Sequence, residues 1–218
     1  MASPRRPYVS RIRDDQTRLT RRRILDAAAA LLLERGYLGT TVDAIAGAAE
    51  VSVQTVYNVV GGKASVLKAV YDVTLAGDDE PVPIGDRPGF RAMLTETDPR
   101  RCMAHYAGLA RELGERTLPL VAMLLAQAAT GEKDLRAFAE TIENERAIGT
   151  AAFAGHVADR FGLRPGLDVD DAAAVVWTLT SPDVADRLVR RRGWGWQRYA
   201  DWLGTTLADA LLGPAGRS

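Results

Sequence analysis

Gln54, Thr55, Tyr57, Asn58 and Lys63 crowd into one short stretch of the chain. Their side chains suit one kind of work. The Gln54 carboxamide can pair with adenine through two hydrogen bonds, and Thr55 can touch a thymine methyl or a phosphate. Tyr57 offers an apolar ring for a core and a hydroxyl for a phosphate oxygen. Lys63 adds a cation where the N–H groups of a helix start already favour an anion.

What must position them is the segment Thr40–Lys63, TTVDAIAGAAEVSVQTVYNVVGGK. Thr41 is a good N-cap, and Val42, Ile45, Ala46 and Ala49 follow at helical spacing. Ala49-Glu50-Val51-Ser52 reads as a turn. Ser52 can cap a second helix whose inward face is Val53, Val56, Tyr57 and Val60. Helices this short cannot bury their apolar faces alone, so they must lean on one helix before and one after. That is a helix-turn-helix arrangement, whose second helix lies in the DNA major groove.

Rival chemistry is thin. Gly61-Gly62-Lys63-Ala64-Ser65 hints at a phosphate loop, but Tyr57 stands where the P-loop needs its first Gly and Ala64 where it needs Ser or Thr. His105 and His156 are the only histidines, and no Cys/His cluster exists, so no metal is expected. Asp78, Asp79 and Glu80 read as an acidic solvated turn. Cys102 is the single cysteine; it excludes an intrachain disulfide and reads as a small core residue. Trp194 and Trp196, beside Arg190 to Arg192, could stack on bases, but more readily anchor the last helix. No cofactor fingerprint and no nucleophile–base pair is present, so no enzyme is expected.

The chain has 218 residues and is 47% hydrophobic, enough for one large or two small domains with a sizeable core. Net charge is zero but uneven. Residues 1–68 carry 11 Lys and Arg against 6 Asp and Glu, and residues 69–218 carry 17 against 22. A basic first part suits a polyanionic partner. The longest apolar stretch, Leu118 to Ala129, is too short to cross a bilayer, and the expected location is the cytoplasm.

Ala and Leu dominate and alternating β-branched runs are short, so the fold class is all-α. Residues 1–16 read as a flexible basic arm. Thr17 to Arg35 reads as the first helix, ended by Gly36. Arg18 and Arg21 to Arg23 lie at the wrong end of it for the helix dipole, which suggests another partner for their charge, phosphate being the obvious one. Lys63 to Ala76 is a further helix, and Gly77 to Pro88 breaks the pattern. Beyond lie helices near Gly89 to Glu96, Asp98 to Gly114, Leu118 to Thr130, Lys133 to Phe161, Val169 to Thr180, Pro182 to Arg191 and Gln197 to Leu212. Lys133 to Phe161 is long enough to break near Gly149 or Gly155. Leu118 to Thr130 is apolar nearly all round and should be buried. Gln127 within it needs a partner, either another side chain or a bound ligand. Met103, Tyr106, Met123 and Trp177 could line a pocket with it; core packing explains them equally well.

Residues 18–71 resemble the DNA-binding domain of the tetracycline-repressor (TetR) family of bacterial transcription regulators. The resemblance rests on LLLERGY, then GTTVDAIA, then the turn with V-S-V-Q-T-V-Y, then Lys63. The segment LTSPDVADRLVRRRGWGWQRYADWL also resembles the C-terminal end of some members. The sequence departs from the family at Glu50, where Gly is common, at Val59 and Val60, where His or Tyr and then Phe are common, and at Gly61-Gly62. The resemblance implies a domain order: helix-turn-helix domain 17–62, connecting helix 63–76, and an effector-binding and dimerisation domain 77–218. It implies that Thr41 lies near the DNA backbone and that Val53, Gln54, Thr55 and Asn58, after the cap Ser52, face the groove. Tyr57 and Lys63 would contact phosphates. It further implies a homodimer on double-stranded DNA. The last two long helices, through Val176, Leu179, Leu203, Leu207 and Leu211, would pack against their two-fold mates. A small-molecule effector would release the DNA. No Lys or Arg occurs from Leu118 to Thr130, so that effector is expected to be largely apolar. The expected function is a ligand-responsive repressor. The alternatives are a helical interaction module or an all-α enzyme with degenerate DNA binding.

Overall fold

The computed structural model describes residues 6–80, 82–128 and 131–213, with backbone alone for residues 6–14. The regular elements among the described residues are all helical, without a strand. They form α1 (Arg6–Gly39), α2 (Val42–Ala48), α3 (Val53–Val59), α4 (Lys63–Ala76), α5 (Pro88–Thr95) and α6 (Pro99–Ala128). After these come α7 (Lys133–Phe161), α8 (Val169–Leu179), α9 (Pro182–Ala185) and α10 (Trp196–Leu212). A π-helical segment, Asp186–Arg191, continues α9. No helix among the described residues is long and apolar enough to cross a membrane.

The helix begins earlier than its apolar stripe. Residues 6–16, expected in an arm, continue α1; residues 1–5 lie outside the described part. Asp98 to Gly114 and Leu118 to Thr130, expected as two helices, are one, and α6 runs on through Pro119. α7 passes Gly149 and Gly155 unbroken. Leu118, Leu120, Val121 and Leu124 are buried as expected, but Leu125 is 41% exposed, so this part of α6 is not covered all round.

The chain divides into two units. The first holds residues up to Asp79 together with Met123–Phe138, the end of α6 and the start of α7. This differs from a boundary drawn at residue 77, because a segment distant in sequence joins the unit that holds the helix-turn-helix. Its core is Ile24, Leu25, Ala28, Leu31 and Leu32 of α1 with Ile45 and Ala46 of α2, Val56 of α3, and Val66, Leu67 and Val70 of α4. Tyr71 of α4 meets Phe138 edge-on at 5.5 Å.

The second unit holds Glu80–Ala122 and Ala139–Ser218. Its core joins Met93, Cys102, Met103, Phe153, Val157, Val176, Tyr199, Leu203, Leu207 and Leu211. α10 approaches α6 closely at Gly204, where a Cβ would lie 3.3 Å from the Cα of Ala104. The tryptophans anchor α10: Trp194 and Trp202 pack edge-on at 6.0 Å, and Trp196 meets Tyr199 at 5.7 Å. Asp186, nearly buried, holds Arg190 at 2.9 Å and Arg191 at 2.6 Å.

This packing corrects the expected dimer residues. Val176, Leu203, Leu207 and Leu211 are fully buried in their own subunit, and Leu179 packs partly against the same core. An apolar stripe shows that a helix face is covered, and here the subunit itself covers it.

Cys102 is also fully enclosed, and burial pushes its thiol up to about 11. Only the thiolate is an effective nucleophile. At pH 8 the native protein should therefore react with a thiol-titrating disulfide reagent at least tenfold more slowly than the same protein in denaturant. Equal rates would contradict the burial.

Candidate nucleic-acid interface

α2 and α3 are seven residues each, and both are capped as their sequences anticipate. Thr41 Oγ1 accepts from the Ala44 N–H at 3.1 Å. Ser52 Oγ accepts from the Thr55 N–H at 3.0 Å and lies 2.7 Å from the Thr55 hydroxyl. Thr41 and Ser52 are both exposed.

Of the expected inward face of α3, Val56 alone is fully buried. Val53 and Val60 are half-buried. Tyr57 is a correction: it is 51% exposed and does not enter the core. Its ring lies alongside Gly62, where an added Cβ would sit 3.8 Å from it. The outward face of α3 therefore carries Gln54, Tyr57 and Asn58, with Thr55 half-covered beside them. Gln54 Nε2 donates to Asn58 Oδ1 at 2.9 Å.

The turns on either side explain two departures noted in the sequence. Glu50 adopts φ 53°, a left-handed conformation that costs a non-glycine residue about 1–2 kcal/mol. Arg23 clamps this turn, donating to the Ala49 carbonyl at 2.7 Å and to the Glu50 carboxylate at 3.2 Å. Gly61 has φ 116°, which only glycine adopts readily. Gly62 then starts α4 with no side-chain cap. Because α1 begins at Arg6, Arg18 and Arg21 to Arg23 lie well inside it rather than at its start, and three of the four are engaged within the protein. Arg18 pairs with Asp15 at 2.6 Å and Arg21 faces Asp79 at 3.4 Å, while Arg22 is exposed.

Lys63 is not a free surface cation. Its ammonium lies 4.1 Å from the centroid of the buried Tyr37 ring. Burial holds its pKa below the usual lysine range, against the opposing pull of Glu132 and Asp134. The Tyr37 hydroxyl donates to Asp134 at 2.9 Å. Burial first, and that bond second, keep the phenol well above its ordinary range.

Beside this cluster sits the partner that Gln127 needed. Its Oε1 accepts from the backbone N–H groups of Tyr37 at 2.8 Å and Leu38 at 3.3 Å. Gly36 makes the seat, with φ 70° and ψ 175°, a region essentially reserved for glycine. A Cβ there would lie 1.8 Å from Gln127 Nε2. Thr40, fully buried, closes the same corner by donating to the Leu31 and Gly36 carbonyls.

The five expected pocket residues are divided between the two units. Gln127 and Met123 belong to the first unit; Met103, Tyr106 and Trp177 belong to the second. Met103 is core, Tyr106 stacks on Phe153 at 3.7 Å, and Trp177 is 39% exposed beneath Arg146. An open groove of about 490 Å³ runs between α6 and α10, lined by Arg100, Gly108, Arg111, Asp201 and Thr205 among others. None of the five lines it.

Sequence reading did not find the Arg23 clamp, the buried Thr40, or the bond from Tyr37 to Asp134. Arg23 and Thr40 look like ordinary polar residues until the turn is placed beside them. A polar residue within the apolar run of α6 was the one available signal, and it led to Gln127.

Comparison with known proteins agrees with this geometry. Residues 24–70 match the model of the family described as "Bacterial regulatory proteins, tetR family". The chain is 26% identical over 178 residues to an uncharacterized HTH-type transcriptional regulator, YdeS, of Bacillus subtilis, covering 78% of this chain and 84% of that one. Among solved structures it resembles NalD, the secondary repressor of the MexAB-OprM multidrug efflux pump in Pseudomonas aeruginosa. That match has a TM-score of 0.66 and 22% identity, over 90% of this chain and 98% of that one. The fatty acid degradation regulator FadR from Bacillus halodurans aligns with a TM-score of 0.61 and 16% identity, over 86% and 93%. At these identities the structural likeness is one of fold.

The Gly36 seat can be tested directly. Gly36→Ala should destabilise the protein by about 2 kcal/mol or more, through backbone strain and displacement of Gln127. Gln127→Ala should cost about 1 kcal/mol, the size of a lost hydrogen bond. Chemical denaturation measures both; wild-type stability in Gly36→Ala would contradict the seat.

Proposed function

The chain belongs to the tetR family of bacterial regulatory proteins, and on that premise we propose that it is a repressor that binds a palindromic operator as a homodimer and is released by a small molecule. As a family member it is a transcriptional regulator. The observation that carries the DNA reading is the outward face of α3, where Gln54, Tyr57 and Asn58 stand exposed while Val56 ties the helix to the core. Gln54, Asn58 and Thr55 meet base edges, with Val53 beside them, and Thr41 and Ser52 lie along the backbone. Tyr57 reaches a phosphate. The uncapped start of α4 offers backbone N–H groups to another, and Lys63 supplies charge there. These N–H groups serve where Val59 cannot hydrogen-bond.

Dimerisation uses what α8 leaves outward. Ala174, Trp177 and Thr178 are exposed on that helix, whereas the leucines of α10 are not available. Two heads then meet two half-sites related by the same two-fold axis. The relative described as a repressor supports repression as the outcome.

The effector reading rests on chain continuity. α6 and α7 each contribute residues to both units. A small, largely apolar molecule that moves either helix in the second unit pulls on the Gln127 seat and on Lys63 beside it. To weaken DNA binding tenfold, the ligand must prefer the DNA-free form by about 1.4 kcal/mol, and DNA must weaken ligand binding equally.

Binding to duplexes from the protein's own promoter region, titrated against salt, tests the DNA reading. Lys63→Ala should weaken binding to all sequences and reduce the slope of log affinity against log salt by about one. Unchanged affinity and slope would remove Lys63 from the interface. For assembly, light scattering should find a dimer at micromolar concentration and a monomer for Trp177→Glu; a monomeric wild type would sink the two-headed scheme. For the effector, compounds that raise the melting temperature should also lower DNA affinity, and stabilisation without that effect counts against release.

A further inference from the structure

Gln54 and Asn58 are bonded to each other on the exposed face of α3, one helical turn apart. That bond decides what each amide has left to offer. Gln54 Nε2 spends one of its two N–H groups on Asn58 Oδ1, so Gln54 keeps one N–H and its carbonyl oxygen. A donor beside an acceptor is the complement of adenine, which shows N7 as acceptor and N6–H as donor in the major groove. Asn58 has one of its oxygen's two lone pairs engaged and keeps both N–H groups of Nδ2. It faces outward as a donor. A pair of donors suits the keto bases best, guanine through O6 and N7 and thymine through O4; adenine offers N7 alone beside its amino group, and cytosine presents only an amino group.

We propose that Gln54 and Asn58 read DNA as one unit. Gln54 takes an adenine and Asn58 takes a neighbouring keto base on the groove edge. Asn58 is at once a contact residue and the positioning residue for Gln54. A free glutamine can rotate its amide and present either order of groups; the bond to Asn58 favours one order before DNA arrives. It also removes part of the rotamer freedom that a long side chain otherwise loses on binding. The inference rests on the reading of α3 as the groove-facing helix.

The experiment is a specificity profile. Wild type and variants are compared on every single base-pair substitution of a duplex that wild type binds, with circular dichroism confirming helix content. Wild type should prefer adenine at one position and a keto base at its neighbour, each by about tenfold. Gln54→Ala should lose the adenine preference and keep the keto preference. Asn58→Ala should lose the keto preference and also relax the adenine preference several-fold. Asn58→Asp separates the two roles, because its carboxylate still accepts from Gln54 but cannot donate. It should bind more weakly overall, keep adenine and lose the keto base. An unaltered adenine preference in Asn58→Ala overturns the coupling. Loss of both preferences in Asn58→Asp overturns it too, as does the two preferences standing at exchanged positions, keto under Gln54 and adenine under Asn58. Those results would leave DNA binding by α3 intact. A wild type with no sequence preference on any duplex would overturn both this inference and the reading beneath it.

Discussion

Two helices of seven residues cannot support themselves. Isolated helices shorter than about 12 residues are marginal in water, because nucleation fixes several dihedrals for each early hydrogen bond. α2 and α3 exist because Ile45, Ala46 and Val56 are buried with the core residues of α1 and α4. The caps Thr41 and Ser52 then satisfy amides that a short helix has no length to satisfy internally. With one side of α3 fixed by Val56, its opposite side must face solvent, and that is where Gln54 and Asn58 stand. The candidate DNA-reading surface is thus the remainder left by a packing constraint.

Two of the positive-φ residues in the same unit are of different kinds. At Gly36 the chain turns sharply, and Gln127 occupies the space a side chain would need. Glycine is required there twice over, by conformation and by volume. At Glu50 a non-glycine residue holds a comparable backbone angle. There the Arg23 clamp on Ala49 and Glu50 opposes the strain. A charged pair this exposed contributes little alone, so the shorter bond to the Ala49 carbonyl matters more.

Around Gly36 the polar groups form one connected patch. Gln127 takes two backbone amides, Tyr37 reaches Asp134, and Lys63 lies on the Tyr37 ring. The start of α4, the end of α1, the end of α6 and the start of α7 therefore meet in a few side chains. Displacing Gln127 would take an acceptor from the Tyr37 and Leu38 amides, so the end of α6 and the end of α1 are tied together by these bonds.

The sequence by itself determined the helical class, the two short helices with their caps, and the residue types on α3, since each depends on near neighbours in the chain. Cap positions and apolar spacing are local properties. It also identified Gln127 as needing a partner, because an amide in an apolar run is visible without coordinates. Tertiary structure alone decided that the partner is the backbone at Tyr37 and Leu38, about ninety residues away in sequence. It likewise decided that Leu203, Leu207 and Leu211 are spent on their own subunit, and that Tyr57 stays outside the core. The physical reason is the same in each case. Periodicity shows that a face is covered or a polar group is paired, but the covering or pairing group lies elsewhere in the chain, and only folding brings it there.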